Sequence, residues 1–145
     1  MQPSFDTMLF TPQSASTEAV VRHHLQAFID QQGLAAILSD YADDACFLSE
    51  ECGYQGKAAI QGFFEGFLAA LPPQAMAQFN CRTLRVHGEV ALIVWSAGPA
   101  LPLGTDTFVV RQGRIVAQTF AMYAARAARG HDPIDNPEGD PSCVD

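Results

Sequence analysis

Lysine is almost missing from this chain. Lys57 is the sole example in 145 residues, and the seven arginines are scattered. With a formal net charge of −8, the chain has no clustered basic surface to hold a phosphate backbone, so nucleic acid is not an expected partner. No apolar run approaches the ~20 residues of a membrane-crossing helix, and no membrane association is expected. Met1 to Ser16 lacks a basic start followed by an apolar block. No secretory signal is therefore expected, and a cytoplasmic location follows by default. The four cysteines, at 46, 52, 81 and 143, form no Cys-x-x-Cys pair, and no histidine stands at a zinc-ligand spacing from them. They read as small buried hydrophobes, with a Cys46–Cys52 hairpin disulfide as the alternative. A phosphate loop, a dinucleotide fingerprint, a His-Glu-x-x-His pair and a nucleophile elbow are all absent. No metal or cofactor is implied.

What is present is a single globular domain. Apolar residues make up 48% of the chain and charged ones 17%, which suits a packed core rather than disorder. Residues 1–16 read as an irregular leader, 17–123 as the domain, and 124–145 as an acidic tail that is mobile or draped over the surface. Ser16 or Thr17 is expected to cap a first helix, with Val21, Leu25, Phe28 and Ile29 as its apolar stripe. A short second helix places Leu34, Ile37, Leu38 and Tyr41 on one side, and Asp40 to Asp44 reads as a polar turn. Cys46 to Ser49 is a short strand. A third helix, from about Lys57 to Leu71, is stopped by Pro72-Pro73.

Beyond that point the periodicity changes to four strand-like runs, at about 79–87, 89–97, 104–111 and 114–122. Tight hairpins fall at Gly88 and at Gln112-Gly113. Helices followed by an antiparallel meander make an α+β pattern. The run Val90 to Trp95 is apolar on both faces, whereas a sheet covered on one side alternates. A second copy in a homodimer is the economical cover, with the leader or tail as the intrachain alternative.

Asp106 is the oddest residue. It sits in Leu103 to Val110, a strand-like run, and alternation places it with Phe108 and Val110 on the apolar side. An acid there must be paired, neutralised or used, unless a bulge turns it to solvent. On the last strand Val116, Gln118, Phe120 and Met122 share one face, and Ile115, Ala117, Thr119 and Ala121 the other. Gln118 is thus an orienting group among apolar neighbours, or an amide on a dimer face. His24, beside the Leu25 and Phe28 stripe, lies at the core boundary. It serves as acid or base only if the first helix crosses the strand bearing Asp106. Phe63 and Phe67 line either a core or a pocket.

Three strings, Tyr41 to Ala45, Tyr54 to Phe64 and Asp106 to Val116, resemble the nuclear transport factor 2-like superfamily, in its SnoaL-like and ketosteroid-isomerase-like branch. The resemblance covers about residues 17 to 123. It implies a cone-shaped curved antiparallel sheet packed on three N-terminal helices (a cystatin-like α+β barrel), with a pocket inside and dimers common. It puts Gln118 on the pocket wall and Tyr54 near the mouth. Ketosteroid isomerases use a general base at about the place of Ser49, a tyrosine at about Leu25 and a protonated aspartate where Asp106 stands. Only the last is matched, so the standard isomerase machinery is not expected.

The expectation is therefore a pocket for a small, largely apolar molecule. Asp106, His24 and Gln118 would be the acid–base set, and Tyr54, Phe63, Phe67, Phe108 and Phe120 the ligand contacts. Cofactor-free isomerase, dehydratase, cyclase or epoxide-hydrolase chemistry fits such a pocket. A non-catalytic ligand-binding or interaction module is the alternative.

Overall fold

A computed structural model describes residues 11–125. The expected leader, tail and Cys143 fall wholly or largely outside these residues. Among the described residues, three helices, α1 (Pro12–Ile29), α2 (Leu34–Leu38) and α3 (Lys57–Ala70), accompany six strands. The strands are β1 (Tyr41–Leu48), β2 (Gly53–Gln55), β3 (Phe79–His87), β4 (Val90–Ala97), β5 (Leu103–Arg111) and β6 (Arg114–Tyr123). They form one sheet in the order β2-β1-β6-β5-β4-β3. It is an α+β cone in which the open sheet curls around the helices. α1 crosses β3, β4 and β5, and α3 packs on β1 and β2.

Several expectations need correction. The sheet is mixed: β1 runs parallel to β6, while every other pairing is antiparallel. Of the polar stretch Asp40 to Asp44 only Asp40 lies in a turn, and Tyr41 does not belong to α2. Tyr41 opens β1, opposite Ile115, and the pairing then jumps to Cys46 opposite Ala117. The residues between form an irregularity that turns Asp43 and Asp44 to solvent, which the sequence imitates as a loop.

α1 starts at Pro12, earlier than the Ser16 cap. Thr11 is the N-cap and its hydroxyl accepts from the Ser14 amide; Pro12 sits where a missing N–H costs nothing. Ser14 and Thr17 instead staple the helix to the β3–β4 turn. The Gly88 amide donates to Ser14 Oγ at 2.9 Å, and Thr17 Oγ1 donates to the Gly88 carbonyl at 2.7 Å. The buried stripe of α1 is thus Ser14, Thr17, Val21, His24 and Ala27, with three polar members.

A shift of register between Val109 and Val110 leaves Val116 without a partner, so Ile115 and Gln118 both point inward. The simple alternation had put them on opposite faces. Cys46 is a free thiol, so the Cys46–Cys52 bridge is not made. The β5–β6 hairpin has positive φ at both Gln112 and Gly113, the two-residue turn that matches strand twist.

Candidate functional site

β5 turns Gly104, Asp106, Phe108 and Val110 inward, as alternation requires. Asp106 is 7% exposed. Its neighbours on either side reach it diagonally. Trp95 pairs with Gly104 on β4, and Gln118 pairs with Phe108 on β6, each two residues out of step with Asp106. Trp95 Nε1 donates to Asp106 Oδ1 at 2.7 Å, and Gln118 Nε2 donates to Oδ2 at 2.8 Å.

The polar chain continues away from the carboxylate. Tyr41, fully buried at the start of β1, donates its hydroxyl hydrogen to Gln118 Oε1. A phenol has one hydrogen, so its 3.2 Å contact with His24 Nε2 is one in which the imidazole donates. The other ring nitrogen of His24 is Nδ1. It is buried, has no hydrogen-bond partner among the described residues, and lies 3.5 Å from Asp40 Oδ2. Asp40 itself accepts from the exposed His23 at 2.8 Å. Each bond direction follows from the one before it, starting with two N–H donors on a carboxylate.

Burial pushes the Asp106 carboxyl up to about 6, and the donors Trp95 and Gln118 partly oppose this. Burial also raises the Tyr41 phenol well above its ordinary value, helped by the charges of Asp106 and Asp40. Tyr41 therefore stays protonated and remains a donor.

A cavity of about 50 Å³ opens beside Asp106. Asp106, His24 and Gln118 all line it, and so do Phe63, Phe67, Phe108 and Phe120. Tyr54 does not: its ring packs against Phe63 and Phe47, at centroid distances of 5.3 and 5.9 Å. His24 lies inside the core at 1% exposure rather than at its boundary, edge-on to Phe28, Tyr41 and Phe108. Leu25 contributes hydrocarbon to the wall. Ser49 clasps the loop before β2 through Cys52, and Glu50, exposed, accepts from the Met122 amide. Neither reaches the cavity.

Tyr41 and Trp95 are the members that sequence reasoning missed. Trp95 reads as core or dimer interface, and nothing in the sequence places Tyr41 beside Gln118, 77 positions away. Among the described residues, no group of three or more His, Cys, Asp or Glu side chains could hold a metal ion, and no helix is long and apolar enough to cross a membrane.

Solved structures share this architecture. A nuclear transport factor 2-like protein of unknown function from Burkholderia xenovorans LB400 superposes with a TM-score of 0.65 at 18% identity, over 83% of this chain and 92% of that one. A protein from Kribbella flavida provisionally assigned as a ketosteroid isomerase gives 0.60 at 17% identity, over 81% and 85%. One from Sinorhizobium meliloti provisionally assigned as a polyketide cyclase gives 0.58 at 22% identity, over 70% and 93%. No family model matches the sequence, and no curated protein matches it. The chain has the nuclear transport factor 2-like fold of the SnoaL-like and ketosteroid-isomerase-like proteins.

Proposed function

We propose that this chain binds a small, largely apolar molecule in the cone and that Asp106 takes a proton from it without a cofactor. The observation that carries the reading is a lone carboxylate on an aromatic wall, held by two N–H donors, with burial lifting its pKa to about 6. Both donors favour the charged form, so Asp106 acts as a general base rather than as a proton donor. A base near neutrality in a water-poor pocket suits isomerase, dehydratase, cyclase or epoxide-hydrolase chemistry. Gln118 and Trp95 fix the carboxylate plane, and Tyr41 with His24 fixes Gln118.

The test uses a small cyclic ketone, cyclohexanone, in deuterated water. Exchange at its α-carbon should be faster with the wild-type protein than with Asp106→Asn. Equal exchange rates in the two would overturn catalysis by Asp106. A second reading, binding without chemistry, is favoured by one observation. His24 lines the cavity, but its two ring nitrogens face Tyr41 and Asp40, so no second base is aimed at a ligand.

The same proposal takes the protein as a homodimer joined through the outer sheet face. Support comes from Val90 and Leu92, 45% and 36% exposed on β4, and, towards the other end of the sheet, from Leu103 on β5 paired with Tyr123 on β6, 44% and 61% exposed. Nothing among the described residues buries these side chains, and a twofold partner offers a self-complementary cover.

A further inference from the structure

The cavity beside Asp106 is too small for a whole organic ligand: about 50 Å³ holds a head group, whereas ligand sites run to ~300–1,000 Å³. A second space, of about 300 Å³, lies between the C-terminal ends of α1 and α3, α2 and the segment after Pro72-Pro73. Phe28, Leu71 and Met76 line both spaces. These three side chains are therefore the partition between an inner chamber and an outer groove. Beyond them the groove is walled by Ala27, Ile37 and Leu68, with Gln31 as its single side-chain amide.

The inner chamber is not neutral in its demands. Trp95 Nε1, the Tyr41 hydroxyl and His24 Nε2 all direct their hydrogens at protein acceptors, while the Asp106 carboxylate, with about four lone-pair sites, accepts two hydrogen bonds among the described residues. The group it lacks is a hydrogen carried by the ligand.

We infer that the two spaces form one elongated site for an amphiphile, with an acidic O–H, N–H or activated C–H against Asp106 and an apolar tail passing Phe28, Leu71 and Met76 into the outer groove. Phe28 is pinned edge-on to His24 and Phe64. Leu71 and Met76 sit at the end of α3 and in the following turn, and the unbranched thioether of Met76 adapts readily to a passing chain. The inference rests on the proposed role of Asp106 as the polar anchor, and it adds the shape and chemical class of the ligand.

Phenols with unbranched 4-alkyl chains test it. Isothermal titration of phenol, 4-ethylphenol, 4-butylphenol and 4-hexylphenol should give affinities that climb about fourfold for each added methylene buried. Leu68→Trp, which fills the groove, should pull the hexylphenol-to-phenol affinity ratio towards one. Should that variant fail to fold, wild-type NMR serves instead, with intermolecular nuclear Overhauser effects expected from the terminal methyl of the chain to Leu68 and Met76. A chain-length-independent affinity, or a terminal methyl that contacts other residues, overturns the inference. Asp106→Asn separates the two ideas. If it leaves every phenol affinity unchanged while the chain-length gain persists, the anchor fails and the groove stands. If it weakens all four phenols and the gain is absent, the anchor stands and the groove fails.

Discussion

Gly104 has no side chain because Trp95 occupies the space where one would be. The two residues face each other across β4 and β5, and a Cβ placed on Gly104 would run into Cε2 and Cζ2 of the indole. This close approach lets Trp95 lie along the sheet and put Nε1 on Asp106. Gly104→Ala should therefore push the indole away and destabilise the fold by ~1–3 kcal/mol, the range for overpacked cores. Trp95 is the single tryptophan, so its fluorescence reports the movement directly. An unchanged emission spectrum with an unchanged melting temperature would contradict the account.

Asp106 should make stability fall as pH rises. Its carboxyl moves from an ordinary 3.8 to about 6 on folding. Between those values the folded state holds a proton that the unfolded state has released. Stability is thus highest below pH 3.8 as far as this group is concerned, and is lost progressively up to about pH 6, by roughly 3 kcal/mol in all. Asp106→Asn removes the dependence. Chemical denaturation of both proteins from pH 4 to pH 7 should show the wild type losing about that amount relative to the variant. A constant difference over this range would sink the prediction.

Tyr41→Phe deletes one oxygen and leaves Gln118 Oε1 and His24 Nε2 buried without partners. The expected cost is ~1–3 kcal/mol. It also frees the Gln118 amide to rotate, which weakens its donation to Asp106, so the Asp106 pKa should rise above about 6. The other titratable groups near the carboxyl are His24 on α1, Asp40 before β1 and Cys81 on β3, and none of them is altered. Carboxyl-carbon NMR titration reads the change. A midpoint equal to that of the wild type would mean that Tyr41 merely fills space.

Leu92→Glu places a charge in the middle of the exposed β4 row. If the outer face joins two copies, light scattering should find a wild-type dimer and a Leu92→Glu monomer with the same circular dichroism. A wild-type monomer at micromolar concentration would remove the dimer from the proposal.

Local chemistry settled most of the fold. The four runs of the meander are spaced by turns that only glycine and its neighbours make cheaply, and Pro72-Pro73 ends α3 because proline cannot continue a helix. Asp106 was legible for a similar reason: a period of two carried an acid onto an apolar face. Gln118 was legible by the same alternation, although its neighbour Ile115 was not, since one unpartnered residue at Val116 reverses the parity.

The partners of Asp106 were decided by tertiary structure alone. Tyr41 meets Gln118 because β1 lies parallel to β6, and that pairing crosses most of the chain. His24 enters the core on a stripe shared with Ser14 and Thr17, polar residues that look solvent-facing until their hydroxyls are seen on the Gly88 turn. A periodic pattern reports which face of one element is apolar. It carries no record of which distant element supplies a hydrogen bond there, because that depends on the curvature of the sheet and the angle at which α1 crosses it.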